Sequence, residues 1–172
     1  EARFFVEGSG CFYLRDDDSH ELWTPTALPI RVENAAYLIR HGQGYSRFEH
    51  ASHGIHSELL QFVGPDDPVK ISVLILTNVS GRSRRLTVTA YLEWVLGASR
   101  SVTAPHIITE LDPDSGAMLA YNPWDQEFGG RIAFADLAGR QTGFTANRTE
   151  FIGRNGSLDA PAGLLSGKPL KS

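Results

Sequence analysis

The sequence is poor in several features that mark specialised classes of protein. Cys11 is the sole cysteine among 172 residues, so the chain cannot form the internal disulfide that domains of oxidising compartments often carry. No run of about 18 apolar residues is present to cross a membrane as a helix. No basic segment followed by an apolar run occurs either, so we expect no signal peptide within these residues.

Positive charge is also scarce. The 16 lysines and arginines are outnumbered by 20 aspartates and glutamates, and the formal net charge is −4. A domain that binds nucleic acid is expected to carry a basic surface for the phosphate backbone. We therefore expect no nucleic-acid partner.

Short catalytic motifs are missing as well. The sequence has no Gly-x-Ser-x-Gly elbow, no phosphate-binding glycine loop and no Cys-x-x-Cys pair. Neighbouring carboxylates occur at Asp16 to Asp18, at Asp66 and Asp67, and at Asp112 and Asp114, but each group lies in a predicted turn, where aspartate commonly caps the backbone. Glycoside cleavage requires two carboxylates facing each other across a cleft. We therefore expect no catalytic residue, and no enzymatic activity of this chain on its own.

Long helical periodicity is absent too, and the apolar pattern predicts β-strands. Residues 69–78 are apolar at most positions and rich in valine and isoleucine, which favours a buried strand. Residues 85–96 alternate, and period two predicts that one face lies in the core. That face contains Leu86, Val88, Ala90, Leu92, Trp94 and Leu96. A short turn containing Gly81 separates the two segments, so we expect them to pair as an antiparallel hairpin.

The rest of the chain continues this pattern of short strands and turns. Further strands are predicted at residues 2–6, 11–14, 21–24, 106–111, 117–121, 131–137, 143–147 and 150–152, and one helical turn at residues 35–40. About a dozen short strands are typical of an antiparallel sandwich or barrel. We assign residues 1–153 to an all-β sandwich domain and residues 154–172 to a loop or linker towards a further domain of a longer protein.

The predicted loop at residues 31–50 is the richest in polar and aromatic groups. It contains Arg31 and the run His41-Gly42-Gln43-Gly44-Tyr45. Glycine allows the backbone to approach a ligand closely, while Arg31, His41, Gln43 and Tyr45 could hydrogen-bond sugar hydroxyls and stack on a sugar face. The alternative is a tight turn in which the glycines serve backbone shape alone.

Two other places carry candidate binding residues. Trp124 lies beside Asp125 and Gln126 in a predicted loop, where it could contact a sugar or a protein partner, whereas Trp94 is expected in the core. Arg154 and Asn155 could reach a phosphate or sugar in the site of a neighbouring subunit, or form an exposed turn.

Three histidines raise the question of a metal. His50, His53 and His56 are spaced by three residues, and neutral imidazoles are good ligands. Residues 45–49 alternate as a strand does, however, and on a strand odd spacing sends His50 and His53 to opposite faces. We therefore expect no metal site and no cofactor.

Several longer motifs, in order along the chain, resemble a known family. They are Tyr13-Leu14-Arg15-Asp16-Asp17, Trp23-Thr24-Pro25-Thr26, the run from His41 to His50, Asp66-Asp67-Pro68-Val69-Lys70-Ile71, the run from Arg84 to Gly97, and Phe151-Ile152-Gly153-Arg154-Asn155-Gly156. Together they resemble the N-terminal domain of the cellobiose and chitobiose phosphorylases, once grouped as glycosyltransferase family 36. The His-Gly-Gln-Gly-Tyr and Glu-Trp-Val-Leu-Gly runs are most similar to the phosphorylase-like part of cyclic β-1,2-glucan synthases.

The resemblance implies a fold and a place in a larger enzyme. It implies an antiparallel β-supersandwich of the galactose mutarotase type, followed in the parent chain by an (α/α)6 barrel that holds the catalytic aspartate. It also implies that the sandwich contributes to a homodimer of the parent enzyme. A parent of the cyclic glucan synthase kind would be an inner-membrane protein with this domain on the cytoplasmic side.

The function expected from the sequence is that of a non-catalytic support domain with a β-glucan oligosaccharide as a candidate ligand. The alternatives are a free-standing carbohydrate-binding module, a mutarotase-like enzyme, and a dimerisation domain without sugar contacts. A mutarotase would need a histidine and a carboxylate facing each other across a concave cleft.

Overall fold

A computed structural model describes residues 2–7, 10–138, 141–167 and 170. The strands are β1 (Ala2–Glu7), β2 (Cys11–Asp16), β3 (Leu22–Trp23), β4 (Tyr37–Gly42), β5 (Tyr45–Ser52), β6 (Ile55–Val63), β7 (Lys70–Asn78), β8 (Leu86–Tyr91), β9 (Ile108–Leu111), β10 (Met118–Tyr121) and β11 (Ala133–Ala135). The short helices are α1 (Arg100–Thr103), α2 (Arg148–Ile152) and α3 (Ala162–Leu165). Every strand pair in this part of the chain is antiparallel, so the all-β antiparallel prediction is confirmed.

The strands form three sheets. The largest has the order β1-β7-β6-β5-β4, and the two smaller ones have the orders β3-β2-β8 and β11-β10-β9. In the large sheet, the β5–β6 hairpin pairs Tyr45 with Phe62 and Ser52 with Ile55. This order places β4 at an edge of the five-stranded sheet.

The main core lies between the five-stranded sheet and the β3-β2-β8 sheet. Its buried residues are Phe12, Leu14, Trp23, Ile55, Leu59, Leu74 and Leu76, with Leu86, Val88 and Ala90 packed against them. Each strand contributes alternate residues to this layer, as the pleat requires. The predicted core face of residues 85–96 is therefore confirmed as far as Ala90.

A second apolar cluster covers the opposite face of the β3-β2-β8 sheet. There Tyr13 packs with Phe151, Ile152 and Leu164 from the C-terminal part of the chain. The Tyr13 hydroxyl also donates a hydrogen bond of 2.8 Å to the carbonyl of Leu158. The segment from residue 154 thus packs on the sandwich, whereas its assignment as a linker stays a prediction, with residues 168, 169, 171 and 172 outside the described part.

A buried ion pair joins the two main sheets. The side chains of Asp16, at the end of β2, and Arg84 are 0% and 4% exposed. Arg84 Nε donates to Asp16 Oδ2 at 2.6 Å, and Arg84 Nη1 donates to the carbonyl of His53 in the β5–β6 turn at 2.6 Å. Backbone amides of Ser19 and Asp18 donate to Oδ1, and together with Arg84 they outweigh burial and lower the pKa of Asp16 to about 2.

The predicted hairpin between residues 69–78 and 85–96 is wrong. Strand β7 pairs with β1 on one side and β6 on the other, whereas β8 pairs with β2 in the other sheet. Both edges of β7 are therefore already occupied. The turn between them carries the chain from one sheet to the other.

Other local predictions also need correction. Residues 37–42 form strand β4 rather than part of a helical turn at residues 35–40, and most of the predicted loop at residues 31–50 is the β4–β5 hairpin. Residues 150–152 belong to helix α2 rather than to a strand, and residues 143–147 form no strand. Strand β8 ends at Tyr91, so Trp94 lies beyond it and is half-buried instead of being in the core.

Candidate functional site

The β4–β5 hairpin brings together three of the predicted binding residues. Gly42 pairs with Tyr45, so Gln43 and Gly44 form the turn, and Gly44 adopts a φ of 80° that favours glycine. The Tyr45 ring lies against Gly42, where an added Cβ would come within 2.1 Å of the ring. His41 Nδ1 lies 2.9 Å from the Ser46 hydroxyl oxygen. The hairpin therefore presents His41, Gln43 and Tyr45 to solvent.

A shallow depression of about 310 Å³ lies beside this hairpin. Its lining includes Tyr45, Ser46, Gln61, Phe62 and Lys70. Gln61 Nε2 donates to the Ser72 hydroxyl at 3.1 Å, which holds that side chain in place. The depression is lined by two aromatic residues, Tyr45 and Phe62, and by several hydrogen-bonding groups.

A larger open cleft of about 580 Å³ lies next to it. Its apolar lining includes the rings of Trp94, Phe128 and Phe134, and its charged lining is formed by Lys70, Asp125 and Arg131. A volume of this size, mostly apolar with a few polar groups, is typical of small-ligand sites. Lys70 borders both the depression and the cleft.

Internal hydrogen bonds fix the loop that forms one wall of the cleft. The buried Asn122 donates through Nδ2 to the Leu96 carbonyl at 2.9 Å and accepts from the Trp124 amide at 3.1 Å. Asp125 Oδ1 accepts from the amides of Glu127 and Phe128, at 3.0 and 2.6 Å. These bonds set the backbone of the loop before any ligand arrives.

The facing wall depends on a glycine. Gly97 has a φ of 152°, and a Cβ there would lie 2.6 Å from Cγ2 of Thr103 and 3.3 Å from Oδ2 of Asp125. A side chain at this position would collide with Thr103 of α1 and crowd the Asp125 carboxylate of the cleft loop. Glycine therefore permits the close approach of residues 94–97 to the Asp125 loop.

An ionic cluster anchors the same wall to the helices. Glu93 pairs with Arg100 of α1 at 3.0 Å and with Arg148 of α2 at 3.1 Å, and it accepts a hydrogen bond from the Tyr91 hydroxyl. Burial alone would raise the pKa of Glu93, but these hydrogen bonds and charges outweigh it and lower that pKa. Glu93 therefore stays ionised and holds the segment between β8 and α1.

The remaining predicted residues lie apart from the hairpin. Trp124 belongs to the cleft loop, is 74% exposed, and has its ring centroid 5.0 Å from that of His106, but it is not part of the cleft lining. Arg154 and Asn155 are exposed after α2, in the layer that covers the β3-β2-β8 sheet, and Arg31 is exposed before β4. Their binding roles stay predictions.

Two of the three candidate metal-binding histidines, His50 and His53, stack on aromatic rings. His50 is buried, stacks on Tyr37 with ring centroids 3.9 Å apart, and has Nδ1 3.0 Å from the Ala36 carbonyl oxygen. Burial lowers the pKa of His50. His53 stacks on Trp23 at 4.5 Å. Within the described ranges, no group of three or more histidine, cysteine or carboxylate side chains is placed to hold a metal ion.

Sequence reasoning missed the larger cleft. Phe128 and Arg131 were passed over because they stand in a turn-rich loop, and Lys70 because it opens an apolar strand. The available signal was an aromatic residue and an arginine flanking Gly129 and Gly130. The Arg131 guanidinium carbon in fact lies 5.1 Å from the centre of the Phe128 ring.

Comparison with known proteins gives the family. A family model described as "Glycosyl hydrolase 94, supersandwich domain" matches residues 7–172. The chain belongs to this family. The supersandwich fold and the relationship to glycoside phosphorylases expected from the sequence are thereby confirmed.

The similar proteins are much longer enzymes. The chain is 39% identical over 158 residues to the cyclic beta-(1,2)-glucan synthase NdvB of Rhizobium meliloti. This match covers 92% of this chain and 6% of that protein. It is 31% identical over 169 residues to solabiose phosphorylase of Paenibacillus borealis, covering 95% and 22%. It is 31% identical over 96 residues to N,N'-diacetylchitobiose phosphorylase of Vibrio proteolyticus, covering 55% and 12%. The chain thus spans less than a quarter of the length of each of these relatives.

Among the described residues, every helix is too short or too polar to cross a bilayer.

Proposed function

We propose that this chain is a non-catalytic supersandwich domain of a larger enzyme that synthesises or degrades β-glucan. In that enzyme it supports an (α/α)6 catalytic domain of the same parent chain and contacts the glucan. The observation that carries the proposal is the match to one supersandwich domain over residues 7–172, within relatives whose names describe glucan synthesis and disaccharide phosphorolysis. A cytoplasmic location beside an inner membrane remains a prediction from the resemblance.

The exposed aromatic groups support the glucan contact. Tyr45 projects from the hairpin and Trp124 from the cleft loop, and both are exposed beside hydrogen-bonding groups. Sugar rings offer an apolar face for stacking and hydroxyls for hydrogen bonds, which is the combination that these residues match. The same observation favours a second candidate function, a carbohydrate-binding module without a supporting role.

Two measurements test the proposal. The purified chain, incubated with phosphate and β-1,2-glucan, is expected to release no glucose 1-phosphate, and release above a no-protein control would contradict the non-catalytic role. Calorimetric titration with linear β-1,2-gluco-oligosaccharides is expected to show binding in the millimolar range or tighter. Absence of heat at high ligand concentration would contradict the glucan contact and leave the supporting role.

Subunit contact forms another part of the proposal, and the β4 edge supports it. This six-residue edge strand contains no proline or lysine, and the side chains of Leu38 and Ile39 are each 46% exposed. Such an edge is open to pairing with another strand. Two copies could pair antiparallel through β4 about a two-fold axis at Ile39. Leu38 of one copy would then lie opposite the partner's Arg40, so no two like charges would face each other.

Sedimentation of two variants tests the contact at this edge. The wild type is expected to dimerise, and Ile39→Lys is expected to weaken the dimer because it adds a charge at the pairing axis. Val79→Lys is the matched control, since Val79 is also an exposed apolar residue but lies in the turn after β7. A monomeric wild type, or equal loss in both variants, would refute pairing through β4.

A further inference from the structure

The depression and the larger cleft share one lining residue. Both are bordered by Lys70, the first residue of β7. The depression is otherwise lined by residues such as Gln61 and Tyr45, and the cleft by residues such as Trp94 and Phe128. The two cavities therefore adjoin at Lys70, and together they define a trough that one elongated ligand could span.

Two cationic side chains and one carboxylate oxygen of the cleft have no polar partner in the described part of the chain. The Lys70 ammonium forms no hydrogen bond or ion pair there, and Asp125 Oδ2 accepts none because both amide contacts go to Oδ1. Among the described residues, the Arg131 guanidinium contacts the Phe128 ring and forms no hydrogen bond or ion pair. These groups remain available to a ligand without the cost of breaking an internal bond.

The character of the cleft indicates the ligand class. Aromatic rings supply apolar faces, and the free groups supply both donors and an acceptor. The charged groups are of both signs, and a trough that spans two adjoining cavities suits a chain better than a compact molecule. A neutral polyhydroxylated chain fits all of these features.

We propose that the cleft lined by Trp94, Asp125, Phe128 and Arg131 is a binding site for a β-linked gluco-oligosaccharide, and that Lys70 extends it to the hairpin depression. This inference rests on the proposed glucan contact and places it at a cleft that includes Lys70, Phe128 and Arg131, which the sequence did not indicate. A short oligosaccharide occupies the cleft alone. A longer one also reaches Tyr45.

The test titrates the chain with a β-1,2-linked trisaccharide and with a longer linear β-1,2-gluco-oligosaccharide. Phe128→Ala is expected to weaken binding of both ligands about tenfold, because an exposed stacking ring is lost. Phe128→Tyr keeps the ring and is expected to stay within about twofold of wild type. Thermal unfolding of each variant confirms that the loop is intact, since the Phe128 backbone contacts do not depend on its ring.

Two further variants locate the trough. Tyr45→Ala is expected to weaken the longer ligand while leaving the trisaccharide unchanged. Trp124→Ala removes an exposed ring of the same loop outside the cleft lining, and it therefore tests the alternative position of the glucan contact. Leu28→Ala is the control, because Leu28 is an exposed apolar residue that lines neither cavity, and it is expected to leave both affinities unchanged.

The outcomes separate this inference from the proposed function. Binding that is lost in Trp124→Ala but retained in folded Phe128→Ala would overturn the cleft and preserve the glucan contact. Equal effects of Tyr45→Ala on both ligands would overturn the extension through Lys70. A wild type that binds neither ligand would overturn the cleft together with the glucan contact.

Discussion

Replacing Arg84 with methionine removes the cation that neutralises a carboxylate buried between the two main sheets. The variant keeps most of the aliphatic stem but leaves Asp16 Oδ2 and the His53 carbonyl without their 2.6 Å donors. Breaking a buried ion pair by removing one partner typically costs about 3–5 kcal/mol. A domain of this size is stable by about 5–15 kcal/mol, so the loss is a large fraction of the total.

The pH dependence gives a second, independent magnitude. Folding lowers the pKa of Asp16 from an ordinary value of 3.8 to about 2, which corresponds to about 2 kcal/mol of stability. Because the folded-state pKa is the lower one, this contribution is complete above the unfolded pKa and is lost as the pH falls from 3.8 towards about 2. In Arg84→Met the pKa of Asp16 moves up, so the variant loses less stability on acidification.

Urea unfolding followed by tryptophan fluorescence measures both effects, because Trp23 is buried in the affected core. At about pH 7 the free energy of unfolding of Arg84→Met is expected to be lower than that of wild type by about 3–5 kcal/mol. This difference is expected to narrow as the pH falls from about 4 towards about 2. Arg85→Met is the matched control, because Arg85 pairs with Asp18 at 2.8 Å but its side chain is 77% exposed. An equally small change in both variants, or a difference independent of pH, would refute this account.

Three other substitutions test the scaffold around the sites. Gly97→Ala is expected to destabilise the chain by about 1–3 kcal/mol in thermal unfolding, because its Cβ would meet Thr103 at 2.6 Å; an unchanged melting temperature would contradict the close approach. Asn147→Ala is expected to cost about 1 kcal/mol in urea unfolding, since Asn147 caps helix α2 through two amides at 2.9 and 3.2 Å; no change would mean that packing alone holds the helix. Burial lowers the pKa of His50 below 6.5. The stability that neutral His50 contributes is therefore lost as the pH falls below 6.5. In urea unfolding, the free energy of unfolding of His50→Gln should fall less steeply than that of wild type between about pH 7 and 5.

Much of the fold could be predicted because short stretches of the sequence show the composition or the alternation of β-strands. The valine- and isoleucine-rich run became β7, and the alternation of residues 85–90 placed Leu86, Val88 and Ala90 on the core. Pairing could not be predicted in the same way. The short turn containing Gly81 favoured a hairpin locally, but β7 was already flanked by β1 and β6, and such occupancy depends on distant parts of the chain.

Helix α2 was missed although its signal was present. Asn147 followed by Glu150 at the third helical position is a capping pattern, and Asn147 accepts hydrogen bonds from the amides of Thr149 and Glu150. The apolar pair Phe151 and Ile152 instead suggested a short strand. Those side chains are buried against Tyr13 on the second face of β2, and no local pattern indicates a contact between segments so far apart in the chain.

The candidate sites show the same division between local and distant information. The hairpin residues His41, Gln43 and Tyr45 stand within five positions of one another, so a sequence motif could indicate them. The cleft draws its lining from Lys70, from residues 94–97 and from residues 122–134, and no single stretch carries a recognisable pattern. What brings these segments together is packing: Gly97 gives the clearance for the Asp125 loop, and Asn122 ties that loop to the Leu96 carbonyl. A ligand site built from such separated segments can be inferred only when the contacts that position its walls are known.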